Sequence, residues 1–161
     1  MKKIILIDGH SILNRAYYGL PDLTNSKGEH TNAVLGFLNI LMKILEEEKA
    51  EYLTVAFDVS APTFRHTMFE AYKGTRKGMP DELREQVPVM KEVSKAMKIH
   101  VVECPGFEAD DILGTIATTA QSNIDIKTHN FFIITLKFHN AETDKSSPSY
   151  PDCAIRNKNS K

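Results

Sequence analysis

Residues 3–11 read Lys-Ile-Ile-Leu-Ile-Asp-Gly-His-Ser, and this stretch is the starting point for predicting the fold. Apolar residues 4–7 run directly up to Asp8, which is typical of a short buried strand that ends in a turn. Similar apolar runs occur at residues 53–57, 99–102 and 131–136. The sequence therefore predicts four short buried strands.

Helical periodicity separates these strands. Apolar residues with i, i+3, i+4 spacing predict amphipathic helices at residues 33–45, 81–97 and 108–119. Pro88 lies inside the second of these and should kink that helix or start a new one. Strands that alternate with helices predict an α/β fold with a parallel sheet, whose ligands bind beyond the carboxyl ends of the strands.

The overall composition is that of a globular domain. The chain has 161 residues, 42% of them hydrophobic, and a net charge of −1, so any nucleic-acid site has to arise from local clusters of basic residues. No apolar run approaches the ~20 residues that span a bilayer, and we expect no membrane association. Cys104 and Cys153 are too few for a disulfide framework, which favours reduced cysteines and a cytoplasmic location.

The composition changes near residue 117. All 8 glycines lie at or before Gly114, and Ser, Thr and Asn become much denser after that point. We expect residues 1–117 to form the ordered part of the domain. Residues 118–161 are expected to be an atypical polar segment with a strand at 131–136 and a loose tail.

Acidic residues follow three of the predicted strands. Asp8 ends the first and Asp58 the second, while Glu108, Asp110 and Asp111 open the helix after the third. In a parallel sheet these carboxylates converge on one edge, where they repel one another unless a cation is present. Hard divalent ions with oxygen ligands, Mg²⁺ or Mn²⁺, relieve that repulsion. The pattern therefore predicts a metal site.

Each acidic residue also has a simpler interpretation. An Asp after a strand commonly caps a turn or a helix, and acids in a first helical turn complement the helix dipole. Three acidic segments at one edge favour the metal site over three separate caps. An aspartyl phosphotransferase is disfavoured, because His10 stands where its second carboxylate is needed.

Residues 65–77 form a basic stretch in an otherwise acidic region. They read Arg-His-Thr-Met-Phe-Glu-Ala-Tyr-Lys-Gly-Thr-Arg-Lys, with four Lys or Arg and one Glu. Basic side chains can bind phosphates and an aromatic ring can stack on a base, although a solvated helix end has a similar composition. The candidate nucleic-acid-binding residues are Arg15, Arg65, Tyr72, Lys73, Arg76 and Lys77.

Five motifs, taken together, resemble the 5′-nuclease family, which includes the amino-terminal domain of bacterial DNA polymerase I and the flap endonucleases. The similarity runs from the start of the chain to about residue 117. The motifs are Ile-Asp-Gly-His-Ser with Arg-Ala-Tyr-Tyr (7–18), Ala-Phe-Asp with Ala-Pro-Thr-Phe-Arg (56–65), Glu-Ala-Tyr-Lys-Gly-Thr-Arg (70–76), Met-Pro-Asp-Glu-Leu-Arg-Glu-Gln (79–86) and Pro-Gly-Phe-Glu-Ala-Asp-Asp-Ile-Leu-Gly-Thr (105–115).

This resemblance implies a PIN-like α/β fold, with a parallel sheet flanked by helices, and a 5′-3′ exonuclease activity. The implied substrates are DNA with 5′ ends or flaps, which the family cleaves by metal-assisted phosphodiester hydrolysis, with RNA–DNA hybrids as a further class. Lys73 and Arg76 are the implied catalytic residues, since they stabilise developing negative charge beside Tyr72. The implied ligands of a two-metal site with Mg²⁺ or Mn²⁺ are Asp8, Asp58, Glu108, Asp110 and Asp111.

The resemblance ends before the family's later acidic pairs and its helix-hairpin-helix. We therefore expect a truncated nuclease domain with an atypical C-terminal tail and weaker cation binding. Two functions stay open: a metal-dependent 5′-3′ exonuclease and flap endonuclease, or a fragment that binds nucleic acid without cutting it. The sequence indicates no protein partner.

Overall fold

The protein is described here by a computed structural model covering residues 3–69, 72, 74, 78–122 and 131–134. Within these residues, four parallel strands form one sheet in the order β3-β2-β1-β4. The strands are β1 (Ile4–Asp8), β2 (Tyr52–Ala56), β3 (His100–Val102) and β4 (Phe131–Ile134). The helices are α1 (Gly9–Gly19), α2 (Asn32–Glu48), α3 (Phe64–Met68), α4 (Asp81–Arg84), α5 (Gln86–Ala96) and α6 (Ala109–Ser122).

The β1 strand is central and buried on both faces. Ile5 and Ile7 point into a core formed with α1, α2 and α5, while Ile4 and Leu6 pack against α6. Because alternate side chains of a strand face opposite sides, a strand covered on both sides has to be apolar at consecutive positions. This explains why residues 4–7 form an uninterrupted apolar run.

The register of the sheet aligns the carboxyl ends of β1 and β2. Asp8 pairs with Ala56, which is the last residue of β2, and the chain then continues to Asp58. On the other side of β1, Ile7 pairs with Ile134. The parallel register therefore brings Asp8 and the residues that follow β2 to the same edge.

The predicted alternation of strands and helices is confirmed, with small shifts in the boundaries. The β2 strand ends at Ala56 rather than at residue 57, so Asp58 lies two residues beyond the strand instead of ending it. The α6 helix begins at Ala109, which leaves Glu108 just before the helix. The β4 strand covers the first four residues of the predicted 131–136 run, and residues 135 and 136 lie outside the described ones.

The predicted helix at residues 81–97 is divided into α4 and α5, with Glu85 between them. Pro88 is the third residue of α5, where its missing N–H costs nothing, because the first N–H groups of a helix have no partner within it. Of the two predicted effects of Pro88, a kink or a new helix, a new helix is observed, and it begins at Gln86. The α1 and α3 helices were not predicted.

Two expectations about the environment of the protein can be compared with the structure. In the part of the chain that is described, none of the helices combines the length and the apolar character needed to cross a bilayer. Cys104 is buried, and Cys153 lies outside the described residues, so the expected reduced state of the cysteines stays a prediction.

Gly9 allows a close contact between α1 and the core. A Cβ atom at this position would lie 2.4 Å from Cε1 of the Phe57 ring, and that ring is fully buried. We expect Gly9→Ala to lower the free energy of unfolding by about 1–3 kcal/mol, because the ring cannot move away without disturbing the core. Chemical denaturation measures this difference. Gly19→Ala is the matched control, since nothing lies within 4 Å of its added Cβ atom, and a loss of similar size in that variant would contradict the explanation.

Candidate metal and nucleic-acid site at the carboxyl edge of the sheet

Acidic residues from three segments meet at the carboxyl edge of the sheet. Asp8 is the last residue of β1, Asp58 follows β2, and Asp110 lies in the first turn of α6. Both Asp110 and Asp58 act electrostatically on Asp8. The edge therefore brings together carboxylates that are about 50 residues apart in the chain.

Asp8 is held by the start of α1. Its Oδ1 atom accepts a hydrogen bond of 2.9 Å from the backbone N–H of Ser11, which makes Asp8 the N-cap of that helix. Burial raises the pKa of Asp8 to about 6, and repulsion from Asp110 and Asp58 adds to this rise, while the bond from Ser11 opposes it. Asp8 is thus both a helix cap and a largely buried carboxylate that Asp110 and Asp58 repel.

Asp58 is anchored to the start of α6. Its Oδ1 atom accepts a hydrogen bond of 2.6 Å from the backbone N–H of Ala109, the first residue of that helix. Its own backbone N–H donates to Nδ1 of His10 at 3.1 Å. Asp58 therefore connects the ends of two strands with the beginnings of two helices.

Glu108 and Asp111 surround the guanidinium group of Arg65. Arg65 donates from Nη1 and Nη2 to the two carboxylate oxygens of Asp111, at 2.6 Å and 2.7 Å, and its Nη1 lies 3.8 Å from Oε2 of Glu108. Asp111 also accepts a hydrogen bond of 3.0 Å from the backbone N–H of Glu108. This bidentate ion pair raises the pKa of Arg65 and fastens α3 to the start of α6.

The five predicted ligands are therefore divided into two subsets. Asp58 and Asp110 both act on Asp8, whereas Glu108 and Asp111 interact with Arg65. In residues 3–69, 72, 74, 78–122 and 131–134, no group of three or more His, Cys, Asp or Glu side chains is arranged so that it could hold a metal ion. The first subset still has the chemistry that a hard cation prefers, because all its donors are carboxylate oxygens and their repulsion is visible in the raised pKa of Asp8.

The basic segment is linked to this edge through Tyr72. The Tyr72 hydroxyl donates to Oε2 of Glu108 at 3.3 Å, and the ring of His66 contacts the Tyr72 ring edge-to-face, with centroids 5.3 Å apart. Arg15 is exposed on α1. Lys73, Arg76 and Lys77 lie outside the described residues, so their predicted contacts with nucleic acid stay predictions.

Two functional features were missed at the sequence level. One is the acceptor role of His10, and the other is the ion pair between Arg65 and Asp111, which are 46 residues apart. The motif Asp-Gly-His at residues 8–10 was a signal that a histidine lies at the strand end. Its partner could be found only once the register of β1 and β2 was known.

The raised pKa of Asp8 leads to a prediction for the metal-free protein. The folded-state pKa of about 6 exceeds the ordinary value of 3.8, so the folded protein binds the proton more tightly and the charged carboxylate is destabilising above pH 6. We expect Asp8→Asn to increase the free energy of unfolding at pH 8 by about 1 kcal/mol in the presence of a chelator, with the helix cap retained by asparagine.

This gain should shrink as the pH is lowered through 6 towards 4, because the wild-type carboxyl group then becomes protonated. Thermal melts of both proteins between pH 4 and pH 8 measure the effect. A gain that is the same at all pH values would show that the carboxylate charge at Asp8 is not its cause.

Both the sequence and the fold of this chain are similar to those of known proteins. The family model described as "5'-3' exonuclease, N-terminal resolvase-like domain" matches residues 3–135, which extends past the boundary expected near residue 117. DNA polymerase I of Bacillus subtilis is 50% identical over 122 residues, which cover 76% of this chain and 14% of that protein. A 5′-3′ exonuclease of Aquifex aeolicus is 42% identical over 117 residues, or 73% of this chain and 40% of that protein.

Solved structures with the same fold come from bacteriophage T5. The T5 D15 protein co-crystallized with metal ions aligns with a TM-score of 0.57 and 20% identity, over 84% of this chain and 49% of that one. The T5 D15 flap endonuclease in a pseudo-enzyme-product complex with DNA and metal ions aligns with a TM-score of 0.54 and 20% identity, over 82% of this chain and 48% of that one. These similarities confirm the predicted PIN-like α/β fold.

Proposed function

Because the chain belongs to the family of 5′-3′ exonuclease N-terminal, resolvase-like domains, we propose that it is a metal-dependent nuclease that hydrolyses phosphodiester bonds in DNA. The proposed activity is that of a 5′-3′ exonuclease and a structure-specific 5′ flap endonuclease. The chain spans 14% of the length of the Bacillus subtilis relative and 40% of the Aquifex aeolicus relative, so this proposal concerns the nuclease part of such proteins.

The observation that carries the proposal is the meeting of Asp8, Asp58 and Asp110 at the carboxyl edge of the sheet. These residues come from three separate segments, and the charges of Asp58 and Asp110 add to the rise in the pKa of Asp8 that burial causes. Such repulsion destabilises the charged carboxylates in the absence of a cation. A divalent cation that binds between them removes the repulsion, and this relief favours its binding.

In this proposal, Asp8, Asp58 and Asp110 hold Mg²⁺ or Mn²⁺ through their carboxylate oxygens. A bound divalent ion supplies activation of water and stabilisation of the leaving oxygen. Glu108 and Asp111 are proposed as further ligands, and to serve in that way they have to exchange Arg65 for the cation. Asp58 keeps its place meanwhile through the N–H of Ala109.

The substrate is proposed to approach along the basic segment. Lys73 and Arg76 stabilise negative charge that develops on the phosphate, and Tyr72 contacts the nucleotide beside the scissile bond. Arg15, Arg65 and Lys77 contact neighbouring phosphates. The proposed substrates are DNA with 5′ ends or flaps and RNA–DNA hybrids, and the proposed cytoplasmic location stays a prediction.

A second candidate function is binding of nucleic acid without cleavage. The bidentate bond between Arg65 and Asp111 favours it, because Arg65 already neutralises part of the acidic edge. In this case the domain would bind branched DNA through its basic residues, and the affinity would fall as salt is raised.

One assay separates the two functions. The protein is incubated with a 5′-flap DNA labelled at its 5′ end, in the presence of Mg²⁺, Mn²⁺ or a chelator. We expect products with either metal and none with the chelator. Salt-dependent binding of the flap DNA with no products under any of these conditions would reject the nuclease and support the binding function.

A further inference from the structure

His10 has a largely buried side chain at the beginning of α1 that the proposed chemistry does not use. Its side chain is 18% exposed, and its ring contacts Phe57 edge-to-face with centroids 5.4 Å apart. Gly9, the preceding residue, fits directly against the same Phe57 ring. Packing therefore fixes the orientation of the imidazole.

The imidazole receives a backbone hydrogen bond that the sheet does not use. The N–H of Phe57 still bonds to the carbonyl oxygen of Val102 at 3.0 Å, but the N–H of Asp58 points to Nδ1 of His10 at 3.1 Å. Because Nδ1 accepts this bond, the neutral ring carries its proton on Nε2. Burial lowers the pKa of His10, which agrees with a neutral ring.

This bond completes a set of restraints on Asp58. The backbone of Asp58 is held by α1 through His10, and its Oδ1 atom is held by α6 through the N–H of Ala109. The remaining oxygen, Oδ2, lies 3.8 Å from Nδ1 of His10. His10 thus links the segment that carries Asp8 with Asp58.

We propose that His10 is a positioning residue, which holds the backbone of Asp58 so that the Asp58 carboxylate keeps its place beside Asp8. The functional part of this proposal rests on the proposed metal-dependent activity. The positioning part concerns only contacts within this chain. His10 then acts as residues behind metal ligands commonly do, by fixing the orientation of the ligand.

Two substitutions of His10 separate the effect of its hydrogen-bond acceptor from the effect of its ring packing. His10→Phe keeps an aromatic ring against Phe57 and removes the acceptor, whereas His10→Asn keeps an acceptor oxygen near the position of Nδ1 and removes the ring. His100→Asn is the matched control, because His100 is an exposed histidine at the start of β3. If His10→Phe does not fold, His10→Leu is measured in its place.

The first measurement is amide hydrogen exchange of Asp58 by NMR in the metal-free protein. We expect exchange to be about 5- to 10-fold faster in His10→Phe, as for the loss of one hydrogen bond, and close to wild type in His10→Asn and His100→Asn. A folded His10→Phe, or His10→Leu, in which Asp58 exchanges at the wild-type rate would overturn the proposal.

The second measurement is steady-state cleavage of the flap DNA. We expect kcat to fall about 10- to 100-fold in His10→Phe with little change in KM, and to recover most of the wild-type value in His10→Asn. Equal losses in His10→Phe and His10→Asn would overturn the positioning role in catalysis. If the wild-type protein does not cleave DNA, the proposed function fails, and the exchange measurement still decides whether His10 positions Asp58.

Discussion

Replacing Asp110 with asparagine is expected to reduce cleavage of a 5′-flap substrate at least about 100-fold while leaving the fold intact. Replacing a residue that only orients a metal ligand commonly lowers metal affinity or activity about 10- to 100-fold. The loss of a ligand carboxylate itself should therefore lower the cleavage rate by at least the upper end of that range. Asp110 is exposed in the first turn of α6, where its charge adds only about 0.3–1 kcal/mol to helix stability.

The measurement is the single-turnover rate with Mg²⁺ and with Mn²⁺, accompanied by a thermal melt. Glu92→Gln is the matched control, because Glu92 is an exposed carboxylate on α5 away from the acidic edge. Asp110→Asn with a wild-type cleavage rate would reject Asp110 as a ligand. An equal loss in Glu92→Gln would show that the effect is not specific to the site.

The largest stability effect is expected at Gln86, a buried side chain at the start of α5. Its Oε1 atom accepts hydrogen bonds from the N–H groups of Ala33 and Val34, at 2.8 Å and 3.2 Å, in the first turn of α2. Its Nε2 atom donates to Oδ1 of Asn32 at 3.0 Å and to the carbonyl of Glu82 at 2.8 Å. One amide therefore satisfies the open end of a helix and joins three segments.

We expect Gln86→Met to lower the free energy of unfolding by about 2–4 kcal/mol. Methionine fills a similar volume, so little of the lost stability comes from a cavity. Most of it comes from the buried polar groups of Ala33 and Asn32, which are left without hydrogen-bond partners. Urea denaturation of Gln86→Met, Asn32→Ala and the double variant measures it. Because both residues belong to one network, the two losses should not add. Strict additivity, or a loss below about 1 kcal/mol for Gln86→Met, would contradict this account.

The arrangement of the strands could be predicted because it depends on local patterns. Residues 4–7 are apolar at every position, and only a strand covered on both faces needs that pattern. The helix at residues 33–45 was predicted from its apolar stripe, and it is observed as α2. The α1 helix was not predicted, although it is capped by Asp8 and buries Ile12, Leu13 and Ala16, because its apolar stripe is short.

Other features depend on contacts between distant segments, and no local rule could predict them. Arg65 was assigned to phosphate binding from the charge of its neighbours, yet it forms a bidentate bond with Asp111. Gln86 ends the motif at residues 79–86, but no local pattern indicates its role, because that role exists only when α2 and α5 are packed together. His10 and Asp58 meet only through the pairing of β1 with β2.

The two interpretations of the acidic residues are compatible with each other. Asp8 caps α1, and Asp58 accepts the first N–H of α6, as the simpler interpretation predicted. These same bonds leave Asp58 and Asp110 close enough to Asp8 to repel its carboxylate. A cap uses one carboxylate oxygen and leaves the other available for a cation, so a helix cap at a strand end can also be a metal ligand.

The most direct test of this account is a titration of the metal-free protein with Mn²⁺, followed by electron paramagnetic resonance of the free ion. We predict a binding site in the wild-type protein that is lost or greatly weakened in Asp8→Asn, Asp58→Asn and Asp110→Asn alike, and that is unchanged in Glu92→Gln. Binding that persists at wild-type strength in all three variants would contradict the claim that carboxylates from three segments form one cation site.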